Sequence, residues 1–398
     1  MECVIKILQH LRQQTKPTNY LLHHAPGSGK TYTSALLIWC FHHEALFDKI
    51  LIISDSVHVS TQLGSKCISF LEKFQIPVFH LFSTKTGVQS NISIFSDPAK
   101  KIICCTLQLL SEFDKHPTRR FDKIAIIVDE CHRSQGKFYT MNVHNLLTGQ
   151  RKFETSTVSY FCFTATPTKS TLNLFGSKKV DSTGKEYLGA FHSFTMVDAI
   201  KSKLIFDVMK GYKSKSKKYK TSPITEKAAF IVKHFLKTRK RLSSPGFTPK
   251  CMVMANSIEN IWEYHRAIEA EINKLPPEKR WVVKAAFSTK KNSDGQNITE
   301  NMINNAEVNW FEQFAKAESE IGMVVVKDKL IIGFDCTPLA IMYVDTVLKG
   351  NKAVQSLSRI NRLHPGKKKI CLIDLYSDGK DIKKAFTYFS IEAKTYKI

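Results

Sequence analysis

The stretch Ala25-Pro26-Gly27-Ser28-Gly29-Lys30-Thr31 follows an apolar run at residues 20–22 and precedes an amphipathic one at residues 33–43. Glycines 27 and 29 let the backbone curl until consecutive N–H groups, with that of Ser28, face one point. Lys30 then reaches the β and γ oxygens of a nucleotide, and the Thr31 hydroxyl is placed to hold Mg²⁺. The strict phosphate-loop pattern has glycine where this chain has His24, so an ordinary strand-to-helix turn remains the alternative for the loop read alone.

A second signature turns the reading toward phosphate chemistry. Asp129-Glu130-Cys131-His132 closes an apolar run at residues 124–128, which as a strand delivers both carboxylates to one edge of a sheet. Asp129 there can hold Mg²⁺, often through water, while Glu130 orients and deprotonates the water that attacks a γ-phosphate. Phe163-Thr164-Ala165-Thr166-Pro167 follows another apolar run, and the Thr164 and Thr166 hydroxyls are candidates to couple the carboxylates or His132 to events elsewhere. Near the far end lies Gln355-Ser356-Leu357-Ser358-Arg359-Ile360-Asn361-Arg362, with Arg359 and Arg362 expected on one helix face. Phosphoryl transfer needs cationic charge on the transition-state oxygens, which such arginines supply.

Short apolar runs recur at residues 20–22, 50–53, 102–105, 124–128 and 160–163, with longer amphipathic stretches such as 33–43 and 59–74 between them. Strands buried on both faces and alternating with helices predict an α/β fold with a mainly parallel sheet. A second block alternates likewise, with a helix at 226–239 and strands at 251–254, 282–286, 322–326, 340–344 and 370–375. The expected division is a first domain over residues 1–208, a basic linker or loop over 209–224, and a second domain over 225–398. The linker reading rests on Lys210, Lys213, Lys215, Lys217, Lys218 and Lys220.

The chain has 398 residues, 43% hydrophobic and 24% charged, enough for sizeable cores in two or three domains. Lys and Arg number 59 against 35 Asp and Glu, a formal charge of +24. That excess favours a polyanionic partner, most simply nucleic acid, over the alternative of a merely lysine-rich solvated surface. The clusters at residues 237–241 and 367–369 add charge that could meet phosphates. Ten cysteines occur without a C-x-x-C pair, mostly beside apolar runs, which predicts buried thiols in an intracellular, reducing compartment. Cys131 reads as a small buried side chain, and Trp310, Phe311 and Phe314 read as core before base-stacking surface. The histidine pairs 23/24 and 42/43 lack the spacing of a metal site. No apolar leader opens the chain and no run is long enough for a membrane span.

With these blocks in order, the chain resembles superfamily 2 helicases and translocases, and most closely the motor domains in the restriction (R) subunit of type I restriction enzymes. The resemblance runs from about Tyr20 to Tyr376. His23 to Thr31 resembles motif I, and Val128 to His132 with Arg133-Ser134-Gln135 resembles motif II with that family's extension. Residues 163–167 resemble motif III, Gly333-Phe334-Asp335 with Tyr343-Val344-Asp345 motif V, and residues 355–362 motif VI. The resemblance implies two tandem RecA-like domains with ATP and Mg²⁺ in the cleft between them and nucleic acid running across both. It implies ATP contacts from residues 25–31, Gly333 and Asp335, and roles in hydrolysis for Gln355, Arg359 and Arg362. Gln62, Thr106 and Ser257 are the positions it offers for nucleic-acid contact.

Departures from the family pattern fall on the nucleic-acid side. Asp55 is followed by Ser56, Ser257 by Ile258, and Ile332 stands before the motif V glycine. An adenine-reading glutamine motif is not evident ahead of the loop, and an Asp…Glu-x-Lys nuclease segment has no place here, so no intrinsic DNA cleavage is expected. The expected function is ATP-dependent translocation on nucleic acid, with duplex DNA favoured over RNA and other subunits of a restriction or defence complex as partners. Alternatives are an unwinding helicase on DNA or RNA, and a nucleic-acid-binding pseudo-motor with little ATPase activity.

Overall fold

A computed structural model describes residues 1–54, 67–81, 88–106, 121–131, 158–291, 295–304, 310–330 and 334–396. It divides into one unit of residues Met1–Met196 with Ile391–Ile398, and another of Val197–Ser390.

In the first unit, the apolar runs become strands because side chains on both faces find cover. Ile50 and Ile52 of β2 (Lys49–Ser54) pack into one buried cluster, and Leu51 and Ile53 into the cluster on the opposite face. The same holds for β1 (Tyr20–His24), β4 (Ile102–Thr106) and β5 (Ile124–Val128), each buried along its length. With β3 (Val78–His80), β6 (Val158–Thr164) and β9 (His192–Phe194) they form a seven-stranded sheet in the order β3-β4-β2-β5-β6-β1-β9. Every pairing is parallel, as expected for a sheet covered on both faces. β7 (Ser177–Val180), β8 (Glu186–Gly189) and β18 (Lys394–Tyr396) make a small antiparallel sheet in the order β18-β8-β7.

The second unit repeats the pattern with six strands, ordered β10-β17-β16-β11-β15-β12 and again all parallel. These are β10 (Tyr212–Ser214), β11 (Lys250–Met254), β12 (Val282–Phe287), β15 (Ile321–Lys327), β16 (Leu339–Val344) and β17 (Cys371–Asp374). A two-stranded hairpin, β13 (Lys290–Lys291) with β14 (Asn297–Ile298), stands apart. The helices Ile224–Leu242 and Ile258–Asn273 pack into the same core through Ile231, Phe235, Tyr264 and Ile268.

Two expectations need correction. The division falls after Met196, not after residue 208. The stretch 209–224 is not a linker either, since β10 lies beside β17 and is the edge strand of the second sheet. Two tyrosines anchor it. The Tyr212 hydroxyl donates to Asp374 Oδ2 at 2.9 Å, and buried Tyr219 stacks on Phe230 with ring centroids 4.6 Å apart. Lys213, Lys215, Lys217 and Lys218 are all exposed around these anchors, so the charge that suggested a linker is the outer side of a packed segment.

Candidate nucleotide site

β1 runs directly into the glycine loop, where Gly27 has φ of 80° and Gly29 of 96°, values that L side chains rarely adopt. A Cβ added to Gly29 would meet nothing within 4 Å, so the loop is uncrowded at that residue. Gly29 is the N-cap of the 14-residue helix Lys30–His43 and brings no capping side chain. The first N–H groups of that helix therefore face the site without a side-chain acceptor of their own helix cap, the arrangement that receives phosphate. Ser28 braces the turn, its hydroxyl and its amide both donating to the Ala25 carbonyl, at 2.7 and 3.3 Å. Ala25 N in turn donates to Phe194 O at 2.9 Å, fixing the loop's start to β9.

The acidic pair follows β5, one strand removed from β1, with β6 between them. Asp129 Oδ1 accepts from the Glu130 amide at 3.0 Å, and the Cys131 amide donates to Phe163 O at 3.1 Å. Between these ties Glu130 takes φ of 52°, an uncommon backbone for a non-glycine residue and one often found at functional sites. Lys30 Nζ lies 3.8 Å from Glu130 Oε1, both side chains mostly buried. The phosphate-loop lysine and the second acid thus share one site at the carboxyl edge of the sheet, where open α/β sheets bind ligands. The residues fit a nucleotide with its cation: an open glycine cradle, a cationic tip, a hydroxyl at Thr31 and a carboxylate at Asp129. Thr164 and Thr166, at the end of β6, are fully buried, and Thr164 Oγ1 accepts the Thr166 amide at 3.1 Å.

In the second unit the expected helix carrying both arginines stops early. It spans Gly350–Leu357, so Gln355 is helical while Arg359 lies in the turn beyond and Arg362 in an isolated bridge after it. Tertiary partners satisfy that segment instead of helix continuation. Arg359 Nη1 donates to Phe334 O at 3.3 Å, Phe206 N donates to Asn361 O at 2.8 Å, and Ile205 forms a bridge with Arg362. Arg362 pairs with the carboxylate of Asp335, another residue read as nucleotide-binding. Burial pulls the Arg362 guanidinium down to about 10. The organiser of this segment is Lys367, read from sequence as surface charge. It is buried, and its ammonium donates to the carbonyls of Thr337, Leu339, Ile360 and Arg362, at 3.3, 2.6, 2.8 and 2.8 Å.

Other candidates find structural employment or fall elsewhere. Ser257 is the N-cap of the helix Ile258–Asn273, accepting the Asn260 amide at 3.1 Å. Thr106 is buried at the end of β4. Trp310 and Phe314 are core residues, as expected. Gln62, His132 and Gly333 lie outside the described residues. The sequence reading missed Lys227, whose buried ammonium grips both Asp345 oxygens at 3.0 and 2.9 Å. Nothing local signals such a pair, since its members are 118 residues apart.

Two parallel α/β units, one carrying a phosphate loop and an acid pair at its carboxyl edge, define a motor of the RecA-like, superfamily 2 kind. The chain belongs to the SWI2/SNF2 ATPase family, whose model matches residues 1–241. A second model, type I restriction enzyme subunit R domain 3, matches residues 295–378. Among curated proteins it is similar to the type I restriction enzyme SauMRSORF196P endonuclease subunit of Staphylococcus aureus strain MRSA252. The two are 23% identical over 96% of this chain and 44% of that protein, so the chain spans less than half the length of this relative. Among solved structures it is similar to the fragment of a putative HsdR subunit of a type I restriction enzyme from Vibrio vulnificus YJ016. That match has a TM-score of 0.62 and 17% identity over 95% of this chain and 64% of that one. Mss116p bound to ssRNA and AMP-PNP matches with a TM-score of 0.60 and 14% identity, over 93% of this chain and 68% of that one. No described helix is long and apolar enough to cross a membrane.

Proposed function

We propose that this chain hydrolyses ATP to move along nucleic acid, with duplex DNA as the track and a type I restriction assembly as its setting. The observation that carries the reading is the convergence of Lys30 and Glu130 beside an open helix N-terminus. The DNA track and the assembly are supported by the restriction-subunit relatives and by the match to subunit R domain 3.

In this reading, loop amides and Lys30 hold the β and γ phosphates, and Lys30 leaves Glu130 to do so. Thr31 and Asp129 would hold Mg²⁺, which neutralises charge on the phosphate oxygens. Glu130, released from Lys30, orients the attacking water and takes its proton. Arg362 places its guanidinium on the γ-phosphate oxygens with Arg359 beside it, and Asp335 and Lys367 keep that segment in shape. Gln355 completes the hydrolytic set, and Thr164 and Thr166 relay the change to the grip on nucleic acid.

Nucleotide-dependent thermal stabilisation beside turnover tests the roles. Lys30→Ala should lose both stabilisation by ATP and turnover. Arg362→Ala, shown to be folded, should keep stabilisation and lose turnover by about 10³-fold, in the range of an arginine finger. Unchanged turnover in Lys30→Ala would overturn the site.

A further inference from the structure

Cys3, His24 and His192 arrive from three different elements: the helix Glu2–Gln13, the last residue of β1 and the first of β9. One ligand atom from each, the thiol sulfur and a ring nitrogen of each histidine, all lie within 4.8 Å of one another. The residues are only 4%, 4% and 9% exposed. His24 Nε2 and His192 Nδ1 face each other at 3.0 Å. A hydrogen bond between the two imidazoles accounts for that pair but gives the thiol no part in it.

We propose that Cys3, His24 and His192 form a zinc site. A thiolate with two imidazoles selects a borderline-soft transition ion over Mg²⁺ or Ca²⁺. Zn–N bonds of about 2.1 Å at a tetrahedral angle place two ring nitrogens about 3.4 Å apart. The observed pair therefore needs to open by only a few tenths of an ångström. One of the two facing nitrogens carries the proton of their hydrogen bond, so binding moves that proton to the same ring's other nitrogen, after which both facing nitrogens offer lone pairs. Binding releases the proton of the Cys3 thiol, and three protein ligands leave a fourth position to water.

The position gives the site a task. His24 immediately precedes the phosphate loop, and the same β9 that supplies His192 receives the Ala25 amide two residues further on, at Phe194. A bound ion fastens the first helix to both strands that set the start of that loop. It stabilises the nucleotide site from behind without touching nucleotide.

The test uses the whole purified chain, stripped with a chelator and titrated with Co²⁺ as a spectroscopic stand-in, then with Zn²⁺. One equivalent of Co²⁺ should give a thiolate charge-transfer band in the near ultraviolet and tetrahedral bands in the visible. Zn²⁺ should displace them and raise the melting temperature by roughly 5 °C or more. Cys3→Ser should lose the charge-transfer band and His192→Gln should weaken binding at least tenfold, while Cys371→Ala in the second unit keeps the full spectrum. Melting curves verify that each variant is folded, and His192→Gln decides the matter should Cys3→Ser fail to fold. Wild type without saturable Co²⁺ binding, or a charge-transfer band surviving in Cys3→Ser, would overturn the proposal.

Discussion

Asp345 illustrates how residue identity and residue role separate. Its sequence resembles part of motif V, and its carboxylate is buried, gripped by Lys227 and approached by the Tyr264 hydroxyl at 2.7 Å. Removing one member of a buried pair strands the other's charge, while removing both can be nearly neutral. Lys227→Met should therefore lower stability to denaturant by about 3–5 kcal/mol, and adding Asp345→Leu should recover much of the loss. Equal destabilisation by the single and double variants would mean that the pair is no unit. Glu130 makes a second case: its left-handed backbone costs of order 1 kcal/mol, and Glu130→Gln should keep that geometry while removing the carboxylate proposed as the base. That variant should bind nucleotide like wild type, as read by equilibrium titration, and turn it over far more slowly.

Elements were legible where the signal is apolar and local. Five strands of each sheet stand where buried runs predicted them, because a parallel sheet covered on both faces demands continuous hydrophobicity, whereas β3, β9 and β10, three residues each and only partly buried, gave no such run. The phosphate loop and acid pair were legible because their chemistry sits in consecutive residues. What escaped was set by distant partners. The segment after Leu357 reads as helix, yet its carbonyls turn to Lys367. Lys49 and Lys250 carry no local signal of burial, yet each opens a central strand with its ammonium buried on backbone carbonyls, those of Asp97 and Lys100 for the first and of Ser319 and Ile321 for the second.

Lys367 also yields a pH prediction. Burial pushes its ammonium down to about 7 from 10.5. Between those values the unfolded chain binds the extra proton, so this residue makes the fold more stable as pH rises through that window and less stable as it falls. The stability difference between wild type and Lys367→Met, measured by denaturant unfolding, should shift toward wild type from pH 7 to pH 9. The shift is bounded by about 1.4 kcal/mol per pH unit. A difference independent of pH would show Lys367 to keep its proton throughout.

At the scale of the whole molecule, the +24 charge and the motor fold belong to one account. A protein that meets phosphates through many Lys and Arg side chains releases counterions, so its grip weakens steeply with salt. Affinity for duplex DNA should fall by roughly 10³-fold between 50 and 200 mM salt, as for six or more phosphate contacts. A nearly flat salt dependence, followed by fluorescence anisotropy, would reduce the charge to a solvated surface. The match to restriction-subunit relatives covers most of this chain but less than half of theirs.

The most direct measurement is steady-state ATP hydrolysis by wild type and Glu130→Gln, without nucleic acid and then with single-stranded DNA, duplex DNA and RNA. The account predicts turnover stimulated most by duplex DNA in wild type and absent in Glu130→Gln. Tight binding of a polymer with no turnover in any condition would contradict it and leave a nucleic-acid-binding pseudo-motor.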